Sequence, residues 1–98
     1  MAQPVAGGQW TSITGVGTVL LTDRSDAQLI RVILPGTYVG TVAFYDSPTA
    51  AGTSATNNVL TLGLPATSVA GAVECGIRMR SGLVYAATGT PTMTVVWD

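Results

Sequence analysis

The sequence predicts an all-β fold: an antiparallel β-sandwich, jelly-roll-like or a small barrel, of about seven or eight short strands. Three observations carry this. Segments rich in Val, Thr and Leu alternate apolar and polar residues with the period of a strand. Clusters of Gly, Pro, Asn, Asp and Ser break these segments at intervals of roughly 8–12 residues. No stretch sustains a helical period, and there is no internal repeat.

The elements follow in order. Residues 1–9 carry Pro4, Gly7 and Gly8 without periodicity, and read as an extended arm that either frays or docks on a neighbour. Residues 10–98 form one β domain. Trp10–Thr14 is a first loose strand, punctuated by Gly15 and Gly17, and Thr18–Thr22 is a second. Asp23-Arg-Ser-Asp26 is a polar turn. Gln28–Leu34 is a third strand, with Ile30, Val32 and Leu34 on one face and Leu29, Arg31 and Ile33 on the other. Both faces are largely apolar, which suggests a second packing surface.

Pro35-Gly36 is a turn dipeptide. Val39–Asp46 is a central strand, with Val42 and Phe44 on one face and Thr41 and Tyr45 on the other. Asp46 and Ser47 are placed to cap the turn that follows, and Pro48 cannot join a ladder. After a loop over 47–57, Asn58–Leu64 puts Leu60, Leu62 and Leu64 on one face, and Pro65 ends it. A second loop runs from Ala66 to Gly71. Ala72–Arg80 alternates most cleanly, with Val73, Cys75, Ile77 and Met79 inward and Glu74, Arg78 and Arg80 outward. Ser81-Gly82 is expected to turn this strand into a hairpin with Leu83–Ala87. Gly89-Thr-Pro91 turns again, and Thr92–Trp97 closes the chain.

Composition bounds the function. The 98 residues hold 9% charged side chains, against about 25% in an ordinary soluble domain. There is no Lys and no His, the net charge is −1, and the mean hydropathy is +0.46. A small domain has much surface to cover. Thr, Ser and Gly must cover it, or other subunits must. Self-association into a cyclic oligomer is therefore expected. No stretch of 18 apolar residues predicts a membrane span. The opening residues lack the basic and apolar regions of a secretory signal. Cys75 is a lone cysteine, which fits synthesis in a reducing cytoplasm.

Few chemistries remain. Without His there is no His-based triad or His metal site, and one Cys builds no zinc or iron–sulfur centre. Asp46 and Glu74 are not linked by a motif, and Asp23-Arg-Ser-Asp26 lacks the ligand spacing of a calcium loop. No catalytic residue and no cofactor is expected, and the chain does not read as an enzyme. A pI near 4.9 and the lack of a basic stripe argue against nucleic acid. Trp10, Trp97, Tyr38, Tyr45 and Tyr85 are core or interface anchors, or else a sugar platform. Arg78 and Arg80, with Glu74 near them, form either a solvated face or an interface patch. The candidate interface residues are Trp10, Leu29, Arg31, Ile33, Arg78 and Arg80.

The order of several short elements adds a resemblance. A strand ends in Phe44-Tyr45-Asp46, a small loop ends in Ala51-Gly52-Thr53, and a Leu-alternating strand follows. Then come Arg80-Ser-Gly-Leu83-Val84 and a final Ala87-Thr-Gly-Thr-Pro-Thr-Met-Thr-Val-Val96. Over about residues 28–98 this resembles small β-rich virion proteins of tailed bacteriophages, the capsid decoration or cement proteins among them. The resemblance implies a structural subunit on the outside of an assembled head, partnered by the major capsid protein and by its own copies, as a homotrimer or another ring. It would be made in the host cytoplasm and end on the virion surface. The alternative class is a receptor- or glycan-binding module of a tail, fibre or cell surface.

Overall fold

The alternating segments become strands, and their pairing builds two sheets. The computed structural model describes residues 9–14, 16–34, 39–64, 71–90 and 93–98. The strands are β1 (Gln9–Ile13), β2 (Gly17–Thr22), β3 (Gln28–Leu34), β4 (Val39–Tyr45), β5 (Asn58–Leu64), β6 (Gly71–Arg78), β7 (Leu83–Thr90) and β8 (Met93–Trp97). The first sheet has the order β1-β8-β3-β6 and the second β2-β7-β4-β5. All six pairings are antiparallel.

The topology follows from four of these pairings. β4 pairs with β5, β3 with β6, β2 with β7 and β1 with β8. The chain is thus one long double ribbon, closed at β4–β5 and rolled up. Every other pair of consecutive strands lies in different sheets. That is the jelly roll. The accessible surface is 5298 Å². A folded monomer of 10.0 kDa is expected to expose roughly 5,200 Å².

The core lies between the sheets. Val42 and Phe44 on β4, Leu83, Tyr85 and Ala87 on β7, Leu29 and Val32 on β3, Met93 and Val95 on β8, and Ile13 on β1 form one buried cluster with Ala27 and Met79. Val42 and Phe44 face it as their spacing predicts, and Thr41 and Tyr45 are half-buried on the other side of the sheet. β6 keeps its alternation: Val73, Cys75 and Ile77 pack on the cluster while Glu74 and Arg78 are exposed.

Two expectations are corrected. β3 does not alternate cleanly, because its register slips between Leu29 and Arg31 against both neighbours. Against β8 the extra residue is Ile30. Against β6, Cys75 and Gly76 together face Ile30, and Gly76 adopts φ 62, a left-handed conformation suited to glycine. The bulge turns Leu29 inward with Val32, and Leu29 is fully buried. It is a core residue and not part of an interface. Ser81-Gly82 does not close a hairpin either. β6 lies in the first sheet and β7 in the second, so these residues form a corner between sheets.

Some expectations fall on residues outside those described: the arm over residues 1–8, the Pro35-Gly36 turn, Tyr38, Gly15, the stop at Pro65, the loop over 66–70, and Pro91.

Candidate interaction surface

Registers across the first sheet place side chains in rows on its outer face. Trp10 on β1, Val96 on β8, Arg31 on β3 and Glu74 on β6 form one row. Ser12, Thr94, Ile33 and Ala72 form the next. Val96 is 5% exposed although it stands outside the core cluster, between Trp10 and Arg31. Trp10 itself is 68% exposed and Ile33 41%. Two large apolar groups and an Arg–Glu pair therefore share one face.

The charges on this sheet are largely paired. Arg31 Nε lies 3.2 Å from Glu74 Oε2, a cross-strand ion pair with both side chains partly in solvent. Arg31 Nε is itself covered yet makes no well-aligned hydrogen bond, so the attraction is of charge more than of geometry. In the turn after β2, Arg24 Nε meets Asp26 Oδ1 at 3.2 Å, and its Nη2 lies 3.7 Å from Asp98 Oδ1. Arg78 is exposed opposite Gln28 on β3. Arg80 is exposed past the end of β6, at the sheet corner and away from the rows of Trp10 and Ile33. The structure thus joins Trp10, Arg31 and Ile33 on one face, puts Arg78 near its margin, separates Arg80, and removes Leu29.

The aromatic residues do not converge. Trp97 packs on the core, and its Nε1 donates to Thr11 Oγ1 at 3.0 Å. Tyr85 is a core residue whose phenol is pushed up by burial. Tyr45 follows the inward Phe44 and faces outward on the second sheet. Among the described aromatics only Trp10 is broadly exposed.

Sequence reasoning missed one polar device. The Asp46 carboxylate crosses from the end of β4 to the corner after β6. Oδ2 accepts from Arg80 N at 2.9 Å, and Oδ1 accepts from Ser81 N at 2.7 Å and Gly82 N at 3.3 Å. Burial raises the Asp46 pKa, but these three hydrogen bonds and the Arg80 charge outweigh it and hold the carboxyl below 3.8. The corner also requires glycine: a Cβ at Gly82 would stand 2.4 Å from Ser47 O and 2.7 Å from Thr22 O. The sequence signal was a carboxylate at a strand end, and nothing in it points 34 residues onward. Ser47 caps its own turn as expected, bonding Thr49 O at 2.7 Å and Thr49 N at 3.2 Å.

Cys75 faces inward on β6, and burial, then the Glu74 charge, push its thiol above 9.0. Among the described residues no three His, Cys, Asp or Glu side chains are grouped to hold a metal ion. No helix of the described residues is long and apolar enough to cross a membrane. No protein-family model, curated protein or solved structure matches the chain.

Proposed function

We propose that this chain is a structural virion protein, a decoration or cement subunit that binds the outside of an assembled phage head and stabilises it. One observation carries the reading: Trp10, Ile33 and the Arg31–Glu74 pair share the outer face of the first sheet. Trp and Arg are the residues that most often anchor interfaces, and here they stand on one face of one sheet. Covering such a face desolvates Arg31 and Glu74, and the cost is limited because the two already pair with one another. Jelly rolls recur in viral capsid and lectin domains, which supports the reading by analogy of fold alone.

The test is binding of the purified chain to undecorated heads. Trp10→Ala and Arg31→Glu are each expected to weaken attachment at least tenfold, about 1.4 kcal/mol. Thr88→Lys, on the outer face of the second sheet, should leave it unchanged. Equal binding by all four proteins, or none by the parent, removes the reading. The second reading, a glycan-binding module, is favoured by the exposed Trp10 indole. Loss of binding to a cell-surface polysaccharide in Trp10→Ala, with no effect on heads, would select it.

A further inference from the structure

Among the described residues the two sheets leave four edge strands: β1 and β6 in the first, β2 and β5 in the second. An exposed edge is a row of unpaired backbone groups that invites another strand. β6 is defended by Glu74, Arg78 and the bulge at Gly76. β1 is only five residues long. β5 exposes Asn58, Thr61 and Gly63, while its Val59, Leu60 and Leu62 pack on the core.

β2 differs. Five large apolar side chains are exposed among the described residues, and three of them, Val16, Val19 and Leu20, lie within five positions at this edge. β2 has no charge, no proline and no bulge from Gly17 to Leu20; its register slips only between Leu20 and Thr22. Its outer edge pairs with no strand among the described residues. The 3-10 turn Ala50–Gly52 that lies against β2 is uncharged too.

We infer that β2 pairs with β2 of a second copy of this chain, antiparallel across a two-fold axis, joining two second sheets into one continuous sheet. An uncharged strand meets its own copy without repulsion, and a net charge of −1 adds little at long range. Residues opposite one another in an antiparallel pair share a face, so the partners must have the same parity. The axis therefore passes through a residue paired with its own copy, and Thr18 beside the partner's Thr18 or Val19 beside the partner's Val19 lies at the middle of the regular stretch Gly17–Leu20. Both are favourable cross-strand pairs. A strand of six residues runs about 20 Å and the body is 18 Å thick, so the edge offers on the order of 360 Å² per copy. A standard stable interface uses roughly 800 Å² per partner. The pair is weak in free solution and strengthened wherever a particle holds copies side by side.

The pairing needs no head, so it stands or falls apart from the proposal above. Sedimentation equilibrium of the full chain up to about 1 mM should show a monomer–dimer equilibrium, and Thr18→Lys should weaken it at least tenfold. In a Cys75→Ser background, Thr18→Cys or Val19→Cys should form an intermolecular disulfide far faster than Thr61→Cys on β5. A strict monomer at that concentration overturns the inference. So does association that survives Thr18→Lys, or trapping no faster at β2 than at β5.

Discussion

The two sheets share one core but differ on their outer faces. The strands of the second sheet contain no charged residue, while β3 and β6 of the first hold Arg31, Glu74 and Arg78. The second sheet's outer face carries Thr18, Ala86, Ala43 and Thr61 in one row and Thr88, Thr41 and Gly63 in the next. Its buried Val84 stands between Leu20 and Tyr45, as Val96 stands between Trp10 and Arg31 on the first sheet. A sheet can therefore remain wetted with hydroxyls in place of charges. The charges borne by strands then lie on the face where recognition is proposed, which also carries the exposed Trp10.

If the core is shared and the outer faces are specialised, mutations should rank by depth and not by charge. The largest loss is expected from Phe44→Ala, at about 3–5 kcal/mol in urea unfolding, because Phe44 is fully buried among residues of both sheets. A loss under about 1 kcal/mol would mean that the sheets are not joined by this core. Next comes Gly82→Ala. Its Cβ meets two backbone oxygens that cannot swing aside, so a loss of about 3 kcal/mol in the same experiment is expected. A variant as stable as the parent would show that the corner between sheets yields.

Asp46→Ala should cost about 2 kcal/mol by removing a charged acceptor shared by three backbone N–H groups. The sign of its pH dependence is set by its lowered pKa. Its contribution is fully present above the ordinary carboxylate value and is lost as pH falls through the depressed folded value. Thermal melts of parent and variant should therefore stand apart above about pH 5 and draw together as the pH falls below the ordinary carboxylate value. Parallel curves across that range would remove the clasp. The smallest effect is expected from Glu74→Ala. Both side chains of its ion pair with Arg31 lie partly in solvent, so stability should move by less than about 0.5 kcal/mol and grow less sensitive to salt. A loss above about 1.5 kcal/mol would make the first sheet's charges structural, and would weaken their reading as a recognition face.

Much of the fold was legible because side chains alternate with period two whenever one face of a strand is buried. Gln28–Leu34 and Asn58–Leu64 have the predicted bounds, and Val42 with Phe44 and Val73 with Ile77 face inward as expected. Leu29 was misassigned because a bulge changes parity, and parity is all that alternation reports. Ser81-Gly82 was misread because a two-residue link looks the same whether the next strand pairs with the last or crosses to the other sheet. Of the candidate surface, the types Trp10, Arg31 and Ile33 were legible. Their shared face was not, because it arises from registers among β1, β8 and β3, which are far apart in sequence.

The chain by itself determined that strands would form, which residues could be buried, and how little charge would remain for the surface. These follow from side-chain size, polarity and spacing, which are local properties. Only the tertiary structure decided the rolled order of the strands, the placing of the strands' charges on one sheet, the reach of Asp46 to the distant corner, and the position of uncharged, apolar β2 at a sheet edge among the described residues. Each depends on which strands pair, and pairing is settled by contacts between residues tens of positions apart.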